Sequence, residues 1–386
     1  MDILWIAQRD LHHDLNISTW LEMTKALLKR NHRVTLVTLK TSKAKYIHQI
    51  TNLSLKEISV INRYPLVAIT FHLQVLIFCL FWQLKIRPDI IITHPMTAYF
   101  LVPARLAAKL FRLHTKFILD IRTLPVRSKT ISEKIKNVVN YSSIRFANSC
   151  FHGIAVITPA LKRIIAKQFH VSSDKIGIWM SGVNTDVFQP QYQNFRSIHH
   201  ANDRFRVMYH GVLAENRGLI ETIHAMQSVK ELFPQIELFI LGKGLACRQL
   251  IELAEQLKLT ENVHFHNSVD YNLIPDYIAQ ADVGIIPLPD ILCWQVSSPL
   301  KLFEYLAMEK PVIVSPIEAH TSVLHDCPAA FFLKSTLPED ISENIIKAYE
   351  MRDQLDRLGS KGREFVMEKF TWDHQAHQLE KFAANL

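Results

Sequence analysis

Glycine is missing from the part of this chain where a phosphate-binding turn would usually be sought. The 386 residues include ten glycines, and none of them precedes Gly153. Because G-x-G-x-x-G turns and P-loops need glycine to bring the backbone close to phosphate, the first half has no nicotinamide or Walker-type site. Any phosphate chemistry therefore belongs to the second half.

Cysteine is also sparse, and the few cysteines form no recognisable framework. Their number is odd, they are scattered, and no C-x-x-C pair occurs: Cys79, Cys150, Cys247, Cys293 and Cys327. The N-terminal run MDILWIAQRD lacks a basic leader and a small-residue cleavage site. These features predict a reduced, cytoplasmic protein without a secretory signal.

Acidic residues are outnumbered by basic ones, so the formal net charge is +8 and the isoelectric point about 9.1. This balance predicts an anionic partner, which could be a nucleotide, a nucleic acid or a membrane surface. The sequence has no aromatic-rich basic stripe, zinc-ligand spacing or helix-turn-helix pattern. We therefore expect no nucleic-acid partner.

One long apolar segment, residues 66–84, approaches the length of a membrane span. It carries His72, Gln74 and Gln83, and only shorter stretches of it are cleanly apolar. We expect a buried or membrane-contacting amphipathic helix here rather than a span.

Strand-like and helix-like segments alternate along the whole chain, and its length suits two α/β domains. Residues 2–7, 16–29 and 34–39 predict a strand, a helix and a strand. Later strands are predicted at 88–95, 116–120, 154–158, 205–210, 236–241, 263–265, 282–287 and 312–314. Such an order predicts parallel sheets whose carboxyl-end loops face a ligand.

Polar residues stand at two of these strand ends in the first half. His94, Asp120 and Arg122 are candidates for the acceptor side of a site, and Arg122 is the first candidate to contact an anionic group. Asp120 and Arg122 could equally be a structural pair, and a lone His94 is more often a hydrogen-bonded loop residue. His12 and His13 lie in a polar loop and are more often solvated than metal-bound, so we expect no metal.

The segment Ser297–Ser315 predicts a loop, a helix and a buried strand in sequence. Pro299 suits a helix start, and Lys301 and Glu304 lie one turn apart near that start. Amide groups and the helix dipole favour a negative ligand there, which suits a phosphorylated compound. The alternative is an ion pair that caps the helix without a ligand.

From Pro299 the pattern P-x-K-x-F-E-Y-x-A-x-x-K-P-V-I resembles the donor-sugar loop of retaining glycosyltransferases of the GT-B fold, glycosyltransferase family 4 (glycosyl transferases group 1). Three more segments resemble that family: WMSGVNTDVFQP from Trp179, GVLAENRGLIETIHAM from Gly211 and FTWDHQAHQLEKF from Phe370. The likeness spans nearly the whole chain and is strongest from Trp179 onward.

The resemblance implies an α/β protein of GT-B fold, with two Rossmann-like parallel-sheet domains facing a central cleft. The expected acceptor domain is 1–190, the linker 191–204 and the nucleotide-sugar donor domain 205–364. Residues 365–386 are expected to form a C-terminal helix that crosses back to the first domain.

The resemblance also implies the site residues. Arg217 and Lys301 would grip the donor diphosphate and Glu304 the ribose, as the catalytic group. The implied donor-binding residues are Gly211, Gly242, Lys243, Ser297, Ser298, Pro299 and Leu300. The family's first glutamate falls at Val296, and many members have a second basic residue where this chain has Val212.

The implied function is transfer of a sugar, with retention, from a nucleoside diphosphate sugar to a lipid-linked or polysaccharide acceptor. No cofactor is expected, and an anionic membrane surface is a further expected partner. Two alternatives stay open: a sugar-nucleotide epimerase or glycosyl phosphorylase of the same fold, and a non-catalytic subunit that binds a sugar nucleotide or polysaccharide.

Overall fold

A computed structural model describes residues 1–10, 17–40, 53–61, 63, 66–124, 131–190 and 204–386. The loop with His12 and His13 lies outside these residues, as does all but the last residue of the predicted linker 191–204. The chain divides into two compact units. The first unit is Met1–Ser181 with Trp372–Leu386, and the second unit is Gly182–Thr371.

The first unit is a parallel sheet with helices between its strands. Its strands are β1 (Asp2–Asp10), β2 (Arg33–Lys40), β3 (Ser54–Ser59), β4 (Ile90–Thr93), β5 (Lys116–Ile121), β6 (Gly153–Val156) and β7 (Ile176–Ile178). Its first helices are α1 (Ile17–Lys29), α2 (Leu66–Lys85), α3 (Val102–Leu110), α4 (Ile131–Cys150) and α5 (Pro159–Phe169). The strand order is β3-β2-β1-β4-β5-β6-β7, and every described pairing is parallel.

The second unit repeats this architecture. Its strands are β8 (Phe205–Val212), β9 (Ile236–Lys243), β10 (Val263–His266), β11 (Val283–Ile286), β12 (Val312–Val314) and β13 (Ala330–Phe332), in the order β10-β9-β8-β11-β12-β13. Its helices are α6 (Leu219–Leu232), α7 (Cys247–Gln256), α8 (Ile274–Ala279), α9 (Leu292–Gln295), α10 (Leu300–Ala307), α11 (Glu318–Leu324), α12 (Pro338–Glu350) and α13 (Leu355–Lys369). All its described pairings are parallel as well.

Central strands form where apolar, β-branched residues follow one another, because both faces of a parallel sheet are covered by helices. All four residues of β4 and all three of β12 are buried. The predicted α/β class with two Rossmann-like parallel sheets is confirmed.

The chain passes from one unit to the other after Ser181 and after Thr371, whereas the predicted domain boundaries are at 190 and 364. Residues after Ser181 pack with the second unit: the Phe188 ring contacts Tyr271 edge-on, and Arg363 donates to the Phe188 carbonyl at 3.1 Å. Residues 365–369 continue α13 of that unit. The chain returns to the first unit at Trp372, where α14 (Trp372–Ala384) begins.

Helices cover both faces of the first sheet. Connections between parallel strands are right-handed, and the chain moves one way along the sheet from β1 to β2 and the other way from β3 to β6. This places α1 on one face and α2, α3 and α4 on the other. Helix α14 packs against α1 and β7, so it lies on the face of α1.

Candidate active site

The carboxyl ends of β8 and β9 form a tight edge in the second unit. Gly211 and Gly242 are directly paired, and Gly211 has a φ of 122°, a conformation that favours glycine. A Cβ atom on Gly242 would lie 1.9 Å from the Gly211 carbonyl oxygen. The edge therefore exposes backbone, and Lys243 extends from it into solvent.

Helix α10 directs a buried cation at this edge. The Lys301 ammonium lies 3.7 Å from the centre of the Tyr209 ring, and a Cβ on Gly211 would lie 3.0 Å from it. Within the described residues, Lys301 Nζ has no hydrogen-bond partner, so no hydrogen-bonded pair with Glu304 forms. Burial, and then the charge of Arg217, hold the pKa of Lys301 well below its ordinary value.

Glu304, one turn further along α10, is buried beside a histidine. Its Oε2 lies 3.4 Å from His210 Nε2, and burial raises the pKa of the carboxyl to about 7 against the opposing effect of Lys301. Burial and the Lys301 charge hold the pKa of His210 well below its ordinary value, so the imidazole is neutral. The His210 ring also contacts Tyr305 edge-on.

Arg217 precedes α6 and stacks on an aromatic ring. Its guanidinium carbon lies 4.2 Å from the centre of the Trp294 ring, whose Nε1 donates to the Asn216 carbonyl at 2.8 Å. Arg217 Nε is buried, without a hydrogen-bond partner in the part of the chain that the structure describes. Burial lowers the pKa of Arg217.

Gly218 sets the turn after this arginine. Its φ is 72°, and a Cβ there would lie 1.8 Å from the Pro287 carbonyl oxygen. Any other residue would displace the start of α6, and with it the position of Arg217.

The loop before α10 places the other predicted donor residues nearby in sequence and structure. Ser297, Ser298, Pro299 and Leu300 are half-buried, and Ser297 Oγ donates to the Trp294 carbonyl at 2.8 Å. Pro299 is the N-cap residue of α10, with extended backbone. Val296 is 1% exposed, so a buried apolar side chain occupies the position of the family's first glutamate.

Two cations, Lys301 and Arg217, lie near each other in the second unit. Buried charges are normally paired, and an unpaired one is costly unless a ligand supplies the opposite charge. The charge of Arg217 lowers the pKa of Lys301, so the two cations affect each other. Each has a buried nitrogen without a hydrogen-bond partner in the described residues. The arrangement can hold a group with spread negative charge, such as a diphosphate.

The acceptor-side candidates lie in the first unit, around one buried tryptophan. Trp179 Nε1 donates to Asp120 Oδ1 at 3.1 Å, and the Arg122 guanidinium carbon lies 3.6 Å from the centre of the Trp179 ring. Arg122 also donates to the Trp179 carbonyl at 3.1 Å. His94 follows β4, and the pairing of Thr93 with Leu119 places His94 level with Asp120.

Three residues of the second-unit site were not predicted: Tyr209, His210 and Trp294. The first two end a strand beside the glycine that was predicted, so their position next to Gly211 was the available signal. Trp294 had none, because its contact with Arg217 joins residues far apart in sequence.

Two other observations bear on the site. Among the described residues no group of three His, Cys, Asp or Glu side chains is arranged to hold a metal, and the need for one stays untested. A cavity of about 790 Å³ lies at the amino ends of the first sheet, lined in part by Asp2, His32 and Pro88, and contains none of the predicted residues.

Two Rossmann-like units, each built on a parallel sheet, are the architecture of GT-B glycosyltransferases. The model of Glycosyltransferase Family 4 matches residues 18–187, and that of Glycosyl transferases group 1 matches residues 191–365. The chain is therefore a GT-B glycosyltransferase of the family 4-like type.

Individual proteins agree with this class. The uncharacterized glycosyltransferase MJ1059 of Methanocaldococcus jannaschii is 29% identical over 47% of this chain and 45% of its own length. The uncharacterized glycosyltransferase MJ1069 of the same organism is 23% identical over 60% of this chain and 58% of its own length. The match thus spans about half the length of these curated relatives.

A solved structure covers the whole chain. Alr3699/HepE of Anabaena, in complex with UDP-glucose, is 14% identical with a TM-score of 0.76 and 100% coverage of both chains. At this identity the likeness shows the fold alone.

Proposed function

We propose that this protein transfers a sugar from a nucleoside diphosphate sugar to an acceptor, with retention of configuration. The observation that carries the proposal is the pair of cations, half-buried Arg217 and buried Lys301, each with a buried nitrogen that has no hydrogen-bond partner in the described residues. A diphosphate supplies the charge that both need. The UDP-glucose complex of HepE makes uridine donors the first to test.

The three catalytic candidates share two tasks. Arg217 and Lys301 stabilise the negative charge that grows on the diphosphate as the sugar leaves. Glu304 accepts hydrogen bonds from the ribose hydroxyls once it is ionised, and with its pKa near 7 it is ionised in part at neutral pH. Because the Gly211–Gly242 edge presents backbone, the donor can approach closely there.

Retention fits the residues available. A double-displacement mechanism needs a second carboxylate as nucleophile, and the position of the first glutamate holds the buried side chain of Val296. We therefore propose attack on the same face as the departing diphosphate, which takes the acceptor proton. Proton NMR of the product checks this, and an inverted anomeric centre would overturn it.

The acceptor is proposed to be a lipid-linked sugar or a polysaccharide, in cell-surface polysaccharide or glycolipid synthesis at the cytoplasmic face of a membrane. His94, Asp120 and Arg122 are the proposed acceptor-side residues. No metal or organic cofactor is assigned a part in this reaction.

The first test is a panel of uridine, guanosine and adenosine diphosphate sugars, scored for thermal stabilisation and for release of nucleoside diphosphate. A ligand at a hundredfold excess over its dissociation constant stabilises a fold by about 2.7 kcal/mol. We expect one donor to stabilise the protein and to be consumed. If none stabilises it, the roles given to Arg217, Lys301 and Glu304 are wrong.

The second test removes the charged groups one at a time. Arg217→Ala and Glu304→Ala should each lower turnover about a hundredfold, the effect of about 3 kcal/mol of lost transition-state stabilisation. Arg248→Ala and Glu252→Ala are matched controls, because these residues form an exposed pair on α7. Equal effects in both sets would contradict the assignment.

One observation favours a second candidate, a subunit that binds a sugar nucleotide without turning it over. The missing first glutamate at Val296 removes a carboxylate that would otherwise face the donor sugar. A donor that stabilises the protein but is never consumed, even with membrane extract present, would support this candidate.

A further inference from the structure

Helix α2 is largely apolar on both its buried and its exposed sides, unlike an ordinary surface helix. Its polar residues His72 and Gln83 are 3% and 0% exposed, whereas Leu73, Ile77 and Phe81 are 53%, 67% and 53% exposed. Surface helices of globular proteins normally bury the apolar side and expose the polar one. The outward side of α2 is therefore built to meet something other than water.

Two buried polar side chains of α2 contact threonines of the first unit. Gln83 Nε2 donates to Thr115 Oγ1 at 2.8 Å, and His72 Nε2 lies 3.3 Å from Thr97 Oγ1. These contacts fix which side of the helix faces the domain. By length and composition alone α2 could cross a membrane, but only 28% of it is buried inside the protein and a span would separate His72 and Gln83 from these partners.

The neighbouring helices continue the apolar surface. Helix α3 packs against α2, and α4 packs against the turn Pro95–Leu101 that leads into α3. Leu106 and Leu110 of α3 are 61% and 77% exposed, and Val138 of α4 is 66% exposed. We call the outward sides of α2, α3 and α4 the apolar face; a patch spanning three helices marks an interaction surface.

Basic residues gather at one end of the apolar face. Both α2 and α3 run antiparallel to the strands, so their last turns lie together at the amino edge of the sheet. Lys85 is the last residue of α2 and Arg87 follows it; Lys109 lies in the last turn of α3 and Arg112 follows that helix. The Lys85 ammonium lies 5.2 Å from the Phe81 ring centre, at the border between charge and apolar surface.

The charge of this region decides between possible occupants. From residue 60 to residue 115 the sequence has six lysines and arginines and a single acidic residue, Asp89. Asp89 accepts a hydrogen bond from the Asp2 backbone amide at 2.7 Å. In a symmetric dimer the same patch meets itself, so two positive surfaces would face each other. An anionic lipid surface complements both the charge and the apolar side chains.

We propose that the apolar face docks flat on an anionic lipid bilayer, with α2 lying along the surface and Lys85, Arg87, Lys109 and Arg112 contacting lipid phosphates. This deepens the membrane location given under the proposed function and rests on it for its biological meaning. The docking itself does not require catalysis, so the two can fail separately.

The test is flotation of the full chain with vesicles of phosphatidylcholine containing about 30 mol% phosphatidylglycerol. Binding should fall about tenfold or more on pure phosphatidylcholine, and likewise on raising the salt from about 0.1 to 0.5 M, because ions screen the lipid charge. Binding to neither vesicle, or equally to both, would overturn the proposal.

Variants locate the surface. Ile77→Ser combined with Phe81→Ser should lower vesicle binding about tenfold or more, because both exposed side chains leave the lipid. The matched control changes Leu232 and Leu245 to serine; these are exposed leucines of the second unit, 64% and 103% exposed, and binding should stay within about twofold. Thermal midpoints of all variants verify that they fold.

Charge variants test the basic end. Lys85→Gln and Lys109→Gln should each weaken binding about fivefold, the factor that corresponds to about 1 kcal/mol per charge. Lys361→Gln, on an exposed part of α13, is the control. If the lysine variants match the control, no basic contact with lipid exists.

Sedimentation velocity tests the competing occupant. Suppose that the protein does not bind vesicles but forms a dimer, and that Ile77→Ser with Phe81→Ser dissociates this dimer. The partner of the apolar face would then be a second copy of the chain, and the proposal of lipid binding would be wrong. Nucleotide release without vesicle binding would overturn the docking alone, and vesicle binding without any donor effect would overturn the proposed function alone.

Discussion

Each unit stacks an arginine on a tryptophan near the carboxyl end of its sheet, and the two pairs differ in what surrounds the arginine. In the first unit Arg122 lies 3.6 Å from the Trp179 ring centre; in the second, Arg217 lies 4.2 Å from that of Trp294. Asp120 interacts electrostatically with Arg122, whereas no carboxylate shifts the pKa of Arg217.

The two arginines therefore differ in the counter-charge that the protein itself supplies. Burial lowers the pKa of Arg122 to about 10, and the Asp120 charge opposes that shift. Arg122 also donates to the Trp179 carbonyl, so its environment satisfies it without a ligand. Arg217 keeps a buried Nε without a partner in the described chain. An arginine stacked on a tryptophan therefore says little about function until the counter-charge is located.

The largest expected effect concerns the two tryptophans. Trp179 is 1% exposed and contacts Trp5 edge-on, so Trp179→Ala should lower the free energy of unfolding by about 3 to 5 kcal/mol. Trp294 is half-buried, and Trp294→Ala should cost less than about 1 kcal/mol while weakening donor binding. Denaturation followed by circular dichroism checks both, and similar losses would remove the distinction between the two pairs.

A smaller effect should appear in the pH dependence of the first unit. Burial raises the pKa of Asp120 to about 6 from an ordinary 3.8, so the folded state holds the proton between pH 4 and 6 while the unfolded state releases it. Stability from this group is complete below pH 4 and is lost as the pH rises through 6. The free energy of unfolding of Asp120→Asn, relative to that of the wild type, should therefore rise by at most about 3 kcal/mol between pH 4 and 7.

Denaturation at pH 4, 5, 6 and 7 measures this difference. Asp186→Asn serves as the control, since Asp186 lies exposed at a turn. If the free energies of unfolding of Asp120→Asn and the wild type differ by the same amount at all four pH values, the pKa of Asp120 is not raised in the folded protein.

The local sequence predicted those segments of the fold whose apolar side chains are buried by the neighbouring elements. The short apolar run Val312–Val314 is the strand β12, and the predicted helix 16–29 is α1 (Ile17–Lys29). Strand β3 was not predicted, because at the edge of the sheet its sequence SLKEIS is mostly polar and only Ile58 is buried. Edge strands are held by pairing with a neighbour, which a local pattern does not reveal.

The site was predictable only in part, for a similar reason. Lys301 and Glu304 could be found from their position on one helix, but their contacts with Tyr209 and His210 of β8 could not. These partners are about ninety residues away in sequence. Whether Lys301 is paired or free to bind an anion depends on tertiary packing, so the functional inference needed the structure.

The smallest expected effect has a sign opposite to that of ordinary core substitutions. Lys301 is buried with its ammonium unpartnered in the described residues, so the ligand-free protein carries a cost that Lys301→Met removes while keeping the volume of the side chain. The free energy of unfolding should rise by about 1 to 2 kcal/mol. The same variant should lose most of its stabilisation by the donor that stabilises the wild type, because the cation no longer faces the diphosphate.

Lys361→Met, on the exposed surface of α13, controls for the general effect of the substitution and should change neither quantity. Arg122→Met sharpens the comparison between the units: it removes a cation that already has Asp120 beside it, so it should lower stability where Lys301→Met raises it. If Lys301→Met also destabilises, the ammonium is satisfied without a ligand, and the second unit stores no free energy for binding an anion at this position.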